Sequence, residues 1–424
     1  MSNLKTVKAF RAVATFAALA GPMAAAMATN GYFSQGYGVK SKGMGGASAA
    51  TTDNSFAGAN NPAAAAWAGN RLELGVDFFS PNRSMSRSNS GGGFGDASVK
   101  SDQNLFVIPE IGLNRAINDR LGVALTVFGN GGMNTDYAGG QLNCGQGPAN
   151  VLCGSGRLGV DLIQLIVAPT VAYKINESHS IGLSPLLVHQ RFMAVGLQAF
   201  APGSSAPASL SNNGTDTSNG LGVRLGYLGK LTDRVSVGAS YSPKIGMSKF
   251  SKYSGLFAEQ GNFDIPTNYT LGGSFQATPD VMLAVDYQRL GYSGVKSVGN
   301  ASVQGTAPLG TVNGPGFGWS DINVMKLGVQ WQAIPQLALR AGFNSGGNPI
   351  QSRDVTFNIL APGVTTRHYT AGLTYALSGN RELSLSYMQA PSNSVSGKSA
   401  LPFGGTETIR MSQRALALQF GWRY

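Results

Sequence analysis

Large apolar side chains recur at every second position along most of this chain, most plainly at its end. Leu416, Leu418, Phe420, Trp422 and Tyr424 alternate with Ala417, Gln419, Gly421 and Arg423. The same period runs through Leu121/Val123/Leu125/Val127, Leu221/Val223/Leu225/Tyr227, Val235/Val237/Ala239/Tyr241, Val281/Leu283/Val285/Tyr287, Met325/Leu327/Val329/Trp331, Leu337/Leu339/Ala341/Phe343, Tyr369/Ala371/Leu373/Tyr375 and Leu383/Leu385/Tyr387. Between them stand residues such as Arg224, Asp286, Lys326 and Arg340. Successive side chains of a strand point to opposite faces, so each run predicts a strand with one greasy and one wet side. Beyond residue 28 no stretch approaches the ~18 consecutive apolar residues of a membrane-spanning helix.

A soluble sandwich also has strands with one apolar face, and turn spacing separates it from a barrel. Short turn signals stand at 117–120, 176–178, 232–234, 278–280, 334–336 and 378–380. Between them lie longer Gly/Ser/Asn/Pro-rich stretches near 84–101, 136–157, 199–217, 252–266, 299–320, 346–364 and 391–406. Six short turns and seven long loops require 14 strands with both chain ends on the periplasmic side, the arrangement of outer-membrane barrels. A closed sheet leaves no backbone group unpaired in hydrocarbon. Tyr227, Tyr241, Phe275, Tyr287, Trp331, Phe343, Tyr375 and Tyr387 fall toward strand ends, where interfacial aromatic girdles form. The expected fold is all-β, a 14-stranded antiparallel transmembrane barrel over residues 71–424.

Composition narrows the class further. Glycine makes up 59 of 424 residues and charged residues 12%, against roughly 7% and 25% in ordinary soluble chains. An ordinary cytosolic enzyme is excluded, and 20 Phe, 14 Tyr and 4 Trp exclude a disordered chain. Residues 1–28 read as a signal peptide: Lys5, Lys8 and Arg11 precede an apolar stretch from Ala12 to Ala20, and Ala26-Met27-Ala28 offers a cleavage site. Removing those three cations lowers the net charge from +11 to about +8. Export and the lack of any Lys/Arg cluster argue against nucleic acid as a partner.

Residues 29–70 lack sustained alternation yet contain Tyr32, Phe33, Phe56 and Trp67, too many aromatics for a solvated tail. A plug folded inside the barrel is expected. This segment holds Gly43-Met44-Gly45-Gly46-Ala47, Asp53-Asn54 and Asn61-Pro62-Ala63. With Ile108-Pro109, residues 117–122, the run from Pro266 to Gly272 and that from Asp321 to Gly342, it resembles the outer-membrane long-chain fatty acid and hydrocarbon transporters (FadL/TodX type, OMPP1) over essentially the whole mature chain. The resemblance implies a barrel closed by an N-terminal hatch, with Gly43, Gly45, Gly46, Phe56, Asn61, Pro62 and Ala63 in the hatch or gate. It further implies hydrophobic ligand captured outside and released sideways into the bilayer through a gap in the wall. Pro109 and Gly129-Asn130-Gly131-Gly132 are the candidate kinks for that gap.

The same resemblance places Arg191 and Lys296 at ligand-binding positions, where each would hold a carboxylate. Lys296 shares the even parity of Asp286 and Gln288 and is expected to face the lumen. Arg191 is odd in its strand, so it reaches the lumen only if Pro185 marks a bulge, and that bulge is part of the expectation. Phe200, Leu256, Phe257, Phe317, Trp319, Leu360 and Phe403 lie in predicted outer loops. Such residues form an apolar capture surface, worth roughly 0.8 kcal/mol per buried CH₂ of cargo, or else pack loop against loop.

Other chemistry is thin. Cys144 and Cys153, in one predicted outer loop of an exported chain, are expected to form a stiffening disulfide. Gly154-Ser155-Gly156-Arg157-Leu158-Gly159 has dinucleotide spacing, but strand-like residues follow where a helix should begin. His179, His189 and His368 show no metal-ligand spacing, and His189 with Ser184 is a slender basis for a hydrolase. No catalytic residue, metal or cofactor is therefore expected, and the chain is not expected to be an enzyme. The expected partners are a long-chain fatty acid or other hydrophobic small molecule, outer-membrane lipid and the barrel-assembly machinery, with the protein a monomer. An aromatic hydrocarbon channel of the same fold and an open porin for polar solutes are the alternatives. Porins keep a charge-fringed aqueous bore, whereas low charge, apolar loops and a surplus N-terminal segment favour a gradient-driven transporter.

Overall fold

The computed structural model describes residues 30–93, 95–145, 147–302 and 307–424; the predicted signal peptide lies outside them. Fourteen antiparallel strands close into a barrel. In chain order they are β1 (Arg71–Ser88), β2 (Phe106–Ala116), β3 (Leu121–Tyr137), β4 (Leu158–Lys174), β5 (His179–Val195), β6 (Asp216–Lys230) and β7 (Val235–Ser242). The second half comprises β8 (Asn268–Thr278), β9 (Val281–Leu290), β10 (Ile322–Ile334), β11 (Leu337–Gly346), β12 (Arg367–Leu377), β13 (Arg381–Lys398) and β14 (Thr406–Arg423). Each strand pairs with its neighbours in sequence, and β14 pairs with β1 from Arg71↔Arg423 to Ser88↔Thr406, which closes the sheet.

The alternation holds in three dimensions. Leu74, Phe78, Leu225, Leu271, Leu283, Leu327, Leu416 and Phe420 project outward, bare of protein contacts on a scale only lipid can cover. The intervening Glu73, Asp77, Glu110, Arg224, Asp286, Lys326 and Arg340 are buried inside. β1, β13 and β14 have 18 residues each, more than the ~9–11 that cross a bilayer, so they rise past it and carry the outer loops. A short strand at 97–100 adds to the upper end of β1. In the loop after β3, Cys144 and Cys153 are joined in a disulfide.

Residues 30–70 fill the barrel's interior. They form one turn of helix, α1 (Val39–Gly43), a 3₁₀ turn (Pro62–Ala66) and irregular backbone. The wall accommodates them with inward-facing glycines on β5, β6, β7 and β11. A Cβ on Gly238 would overlap the Ala49 carbonyl, one on Gly342 the Gly45 amide, one on Gly226 the Asn61 side chain and one on Gly182 the Pro62 carbonyl carbon. The surplus glycine thus thins the wall where the hatch backbone lies against it.

Candidate functional site

Local sequence explains how the hatch is shaped. Gly45 and Gly46 adopt φ of +67° and +86°, a left-handed path that costs other residues roughly 1 kcal/mol or more. It presses the hatch against Phe343, where Gly45 N donates to Thr370 Oγ1 at 2.9 Å. Asn61 caps the 3₁₀ turn by accepting from Ala63 N at 3.1 Å, with Pro62 in the first turn where no N–H is needed. Its Nδ2 donates to Ala49 O at 2.7 Å and to Tyr227 O at 2.8 Å, joining two parts of the hatch to β6. Phe56 is fully buried against Gly38.

Charge then fixes the hatch to the wall. Lys42 Nζ lies 2.8 Å from both Asp77 Oδ2 and Glu110 Oε1, and Lys40 Nζ contacts Glu73 Oε1 at 3.0 Å and also Glu382. Burial alone would lower the Lys42 ammonium, but the two carboxylates outweigh it and hold it above the ordinary lysine range. Asp286 Oδ2 accepts from the backbone of Ser48 at 2.8 Å and Ala49 at 3.0 Å. Voids between the hatch and the wall are small. The one beside Tyr37, Arg224, Asp286 and Lys326 is about 20 Å³ and another by Lys42 about 10 Å³, scarcely more than a single water requires.

Among the described residues the β2–β3 ladder is incomplete, as is the β6–β7 ladder, where only Leu225–Lys230 of β6 is paired. Register shifts between Gly129 and Gly131 of β3, leaving Asn130 as a bulged residue. β2 pairs with β3 only from Ile111↔Val127 to Ala116↔Gly122, so Phe106–Glu110 and the outer half of β3 are not joined. Pro109, which has no N–H to give, lies in the unjoined part. Phe79, Phe106 and Ile108 cluster here with Met388, Ala390 and Ala415, and Ile163 from the outer face of β4 packs onto them. The start of the hatch meets the other margin: Ser34 N donates to Asn130 O and Gly132 N to Tyr32 O, each at 3.2 Å. Tyr37 Oη reaches Asn130 O and Oδ1, both at 3.2 Å, and Asn130 Nδ2 donates to Gln164 Oε1 at 2.8 Å. Hatch and gap share these hydrogen bonds.

Above the gap an aromatic cluster covers the lumen. Tyr32 lies 5.2 Å from Tyr292, 5.9 Å from Trp319 and 6.0 Å from Phe263, ring centre to ring centre. Trp319 Nε1 donates to Asn358 Oδ1 at 2.6 Å. Burial pushes the Tyr32, Tyr37 and Tyr292 hydroxyls up, so all three are neutral. Further out, Phe200, Leu256 and Leu360 line a void of about 10 Å³ with Leu152, Leu197 and Phe357.

Several sequence expectations change here. Phe257, Phe317, Trp319 and Leu360 are buried, not exposed, because the loops fold over one another. Phe403 stands apart, stacked on Arg87 at 4.9 Å. The bulge expected at Pro185 is absent: β5 pairs with β6 in one register from His179 to Phe192. Odd positions therefore stay outside, and Arg191 lies on the outer face, 3.0 Å from Asp161. Lys296 is not lumenal either. β9 ends at Leu290, and its parity ends with it; Lys296 lies in a short helix of the next outer loop, half-buried and 3.2 Å from Glu259. The clamp residues Lys40, Lys42, Glu73 and Asp77 were missed, although acids at inward parity in the first strand were a legible signal. Among the described residues, no group of His, Cys, Asp and Glu is disposed to hold a metal.

Lipid-facing barrel, internal plug and interrupted wall define an outer-membrane transport protein that crosses the bacterial outer membrane many times. The family described as outer membrane protein transport protein (OMPP1/FadL/TodX) matches residues 12–424, and the chain belongs to it; it is an outer-membrane transporter of hydrophobic substrates. Among solved structures it is similar to the Pseudomonas putida toluene transporter TodX, at 20% identity over 92% of this chain and 99% of that one, with a TM-score of 0.68. A Pseudomonas aeruginosa FadL homologue gives 16% identity over 93% and 99%, TM-score 0.69. The Ralstonia pickettii toluene transporter TbuX gives 19% over 92% and 99%, TM-score 0.64. At such identities the likeness speaks for the fold. No curated protein matches.

Proposed function

We propose that this protein takes up long-chain fatty acids, which enter under the apolar outer loops, pass the aromatic cluster and leave sideways through the gap between β2 and β3. One observation carries this reading: the interruption between β2 and β3 is lined by Phe79, Phe106 and Ile108, and the start of the hatch is hydrogen-bonded to its margin at Asn130. Cargo displacing Tyr32 and Phe33 would therefore loosen the gap and the plug together. The lumen beside the hatch is filled to water-sized voids, which favours such a path over an open porin. No chemical step is needed, and the ligand's own gradient drives movement. The protein acts as a monomer after insertion by the barrel-assembly machinery. Monoaromatic hydrocarbons are the second reading, favoured by the ring-lined path through Tyr32, Tyr292 and Trp319. Cells lacking their own transporter, given this gene, should show saturable uptake of labelled oleate. Uptake no faster than in the empty strain refutes the reading, preferential uptake of toluene selects the second one, and rapid sugar flux through proteoliposomes selects a porin.

A further inference from the structure

With Arg191 and Lys296 both outside the lumen, neither of the expected cations can hold the head group there. Two buried guanidiniums, Arg83 and Arg224, have no acid within ion-pair distance among the described residues; Arg224 is held by the Gly58 and Ala59 carbonyls of the hatch, whereas Arg83 stands beside the gap. Arg83 faces inward from β1 and is 4% exposed, and no carboxylate among the described residues lies within ion-pair distance of it. Its Nη1 donates to the Asn134 carbonyl at 2.5 Å, while Nη2 has only Ser101 Oγ at 3.4 Å and Nε has no partner. The guanidinium also lies 5.6 Å from the Phe106 ring, at the gap.

Arg83 borders a void of about 20 Å³ with Phe79, Met133, Trp319, Pro362 and Met411. Apart from Asn134 the other lining side chains are apolar or aromatic, and they include Trp319 of the aromatic cluster and Phe79 at the gap. A buried charge without a counter-charge is costly, and an ionisable group within a membrane protein marks a functional site by default. Nε and Nη2 form the side-on edge of a guanidinium, whose two parallel N–H bonds match the two oxygens of a carboxylate. Both donors of that edge are free or weakly engaged, whereas the third nitrogen anchors the side chain to β3.

We propose that Arg83 is the head-group anchor of this transporter: its Nε/Nη2 edge binds the carboxylate of the cargo while the acyl chain lies toward Phe79, Phe106 and Ile108. The inference rests on the hydrophobic-cargo reading and adds to it a preference for acids over neutral molecules. In the closed state the void has room for little more than a water, so the carboxylate enters as Pro362 and its neighbours in the outer loop give way. The bland competitor is a structural clip between β1 and Asn134.

The test is competition of oleate and oleyl alcohol against a fluorescent fatty acid on purified protein in uncharged detergent, with Arg83→Gln and Arg83→Lys alongside wild type. Wild type should bind oleate about tenfold more tightly than the alcohol, the scale of a charge-assisted hydrogen bond. Arg83→Gln should erase that preference by weakening oleate alone, and Arg83→Lys should restore most of it. Equal wild-type affinity for acid and alcohol overturns the proposal without recourse to any variant. Equal weakening of both ligands by Arg83→Gln, the mark of a clip, also overturns it. In either case the cargo reading survives, because the alcohol still binds wild type. Binding of neither lipid by wild type removes both.

Discussion

Replacing Lys42 by Met should unlatch the hatch. The ammonium contacts two buried carboxylates at 2.8 Å, Asp77 on β1 and Glu110 on β2, and Met keeps most of its length while removing the charge. Asp77 and Glu110 are then left beside each other without their cation. Breaking a buried pair costs roughly 3–5 kcal/mol, which shifts the docked-to-undocked ratio by about two to four powers of ten. Water entering as the hatch lifts relieves the carboxylates, so the strain acts specifically on docking. Single-channel recording in planar bilayers should show long openings in Lys42→Met that wild type lacks, and Lys42→Arg should stay quiet. A Ser48→Cys reporter, buried in the docked state, should react with a water-soluble thiol reagent only in the Lys42→Met background. Silent channels and an unreactive reporter thiol in a correctly folded Lys42→Met barrel would refute the latch. Because the Lys42 ammonium is held above its ordinary value, its contribution is complete below that value and fades only as pH rises through the still higher folded one. Raising pH from ~7 to ~9 should therefore not open the channel by this route.

Other perturbations reach different parts of the same design. Gly238→Val places a side chain onto the Ala49 carbonyl, and should expel the hatch without unfolding the wall, seen as conductance with normal heat-modifiable migration on gels. Deleting Asn130 removes the residue that bulges against β4 and bonds the start of the hatch, and should abolish oleate uptake while Lys40 and Lys42 still keep Ser48 protected from a thiol reagent in the Ser48→Cys background. Asp53 of the hatch is pulled below the usual carboxylate range because Lys40, Arg340 and Arg71 outweigh the opposing effect of burial. Its contribution is complete above the unfolded value of ~3.9 and is lost as pH falls through the lower folded one. Hatch protection against thiol labelling should then hold from pH ~7 to ~5 and weaken only in stronger acid.

Strand number, turn positions and the inward or outward sense of most residues were set by the sequence alone, since lipid and lumen act on every residue in turn and impose period two locally. The turns at 117–120 and 378–380 and the outward row Leu416, Leu418, Phe420 and Trp422 needed no distant partner to be read. Arg191 and Lys296 show where such reading ends. Parity transfers only within one unbroken strand, and whether Pro185 bulges or where β9 stops depends on pairing with a neighbour. Tertiary structure decided which charges meet. Lys40 with Glu382, and Lys42 with Asp77 and Glu110, are pairs that no local pattern specifies. The opening between β2 and β3 was likewise only hinted at by Pro109 and the glycines at 129–132, because a missing ladder is a property of two strands and the plug that lies against them.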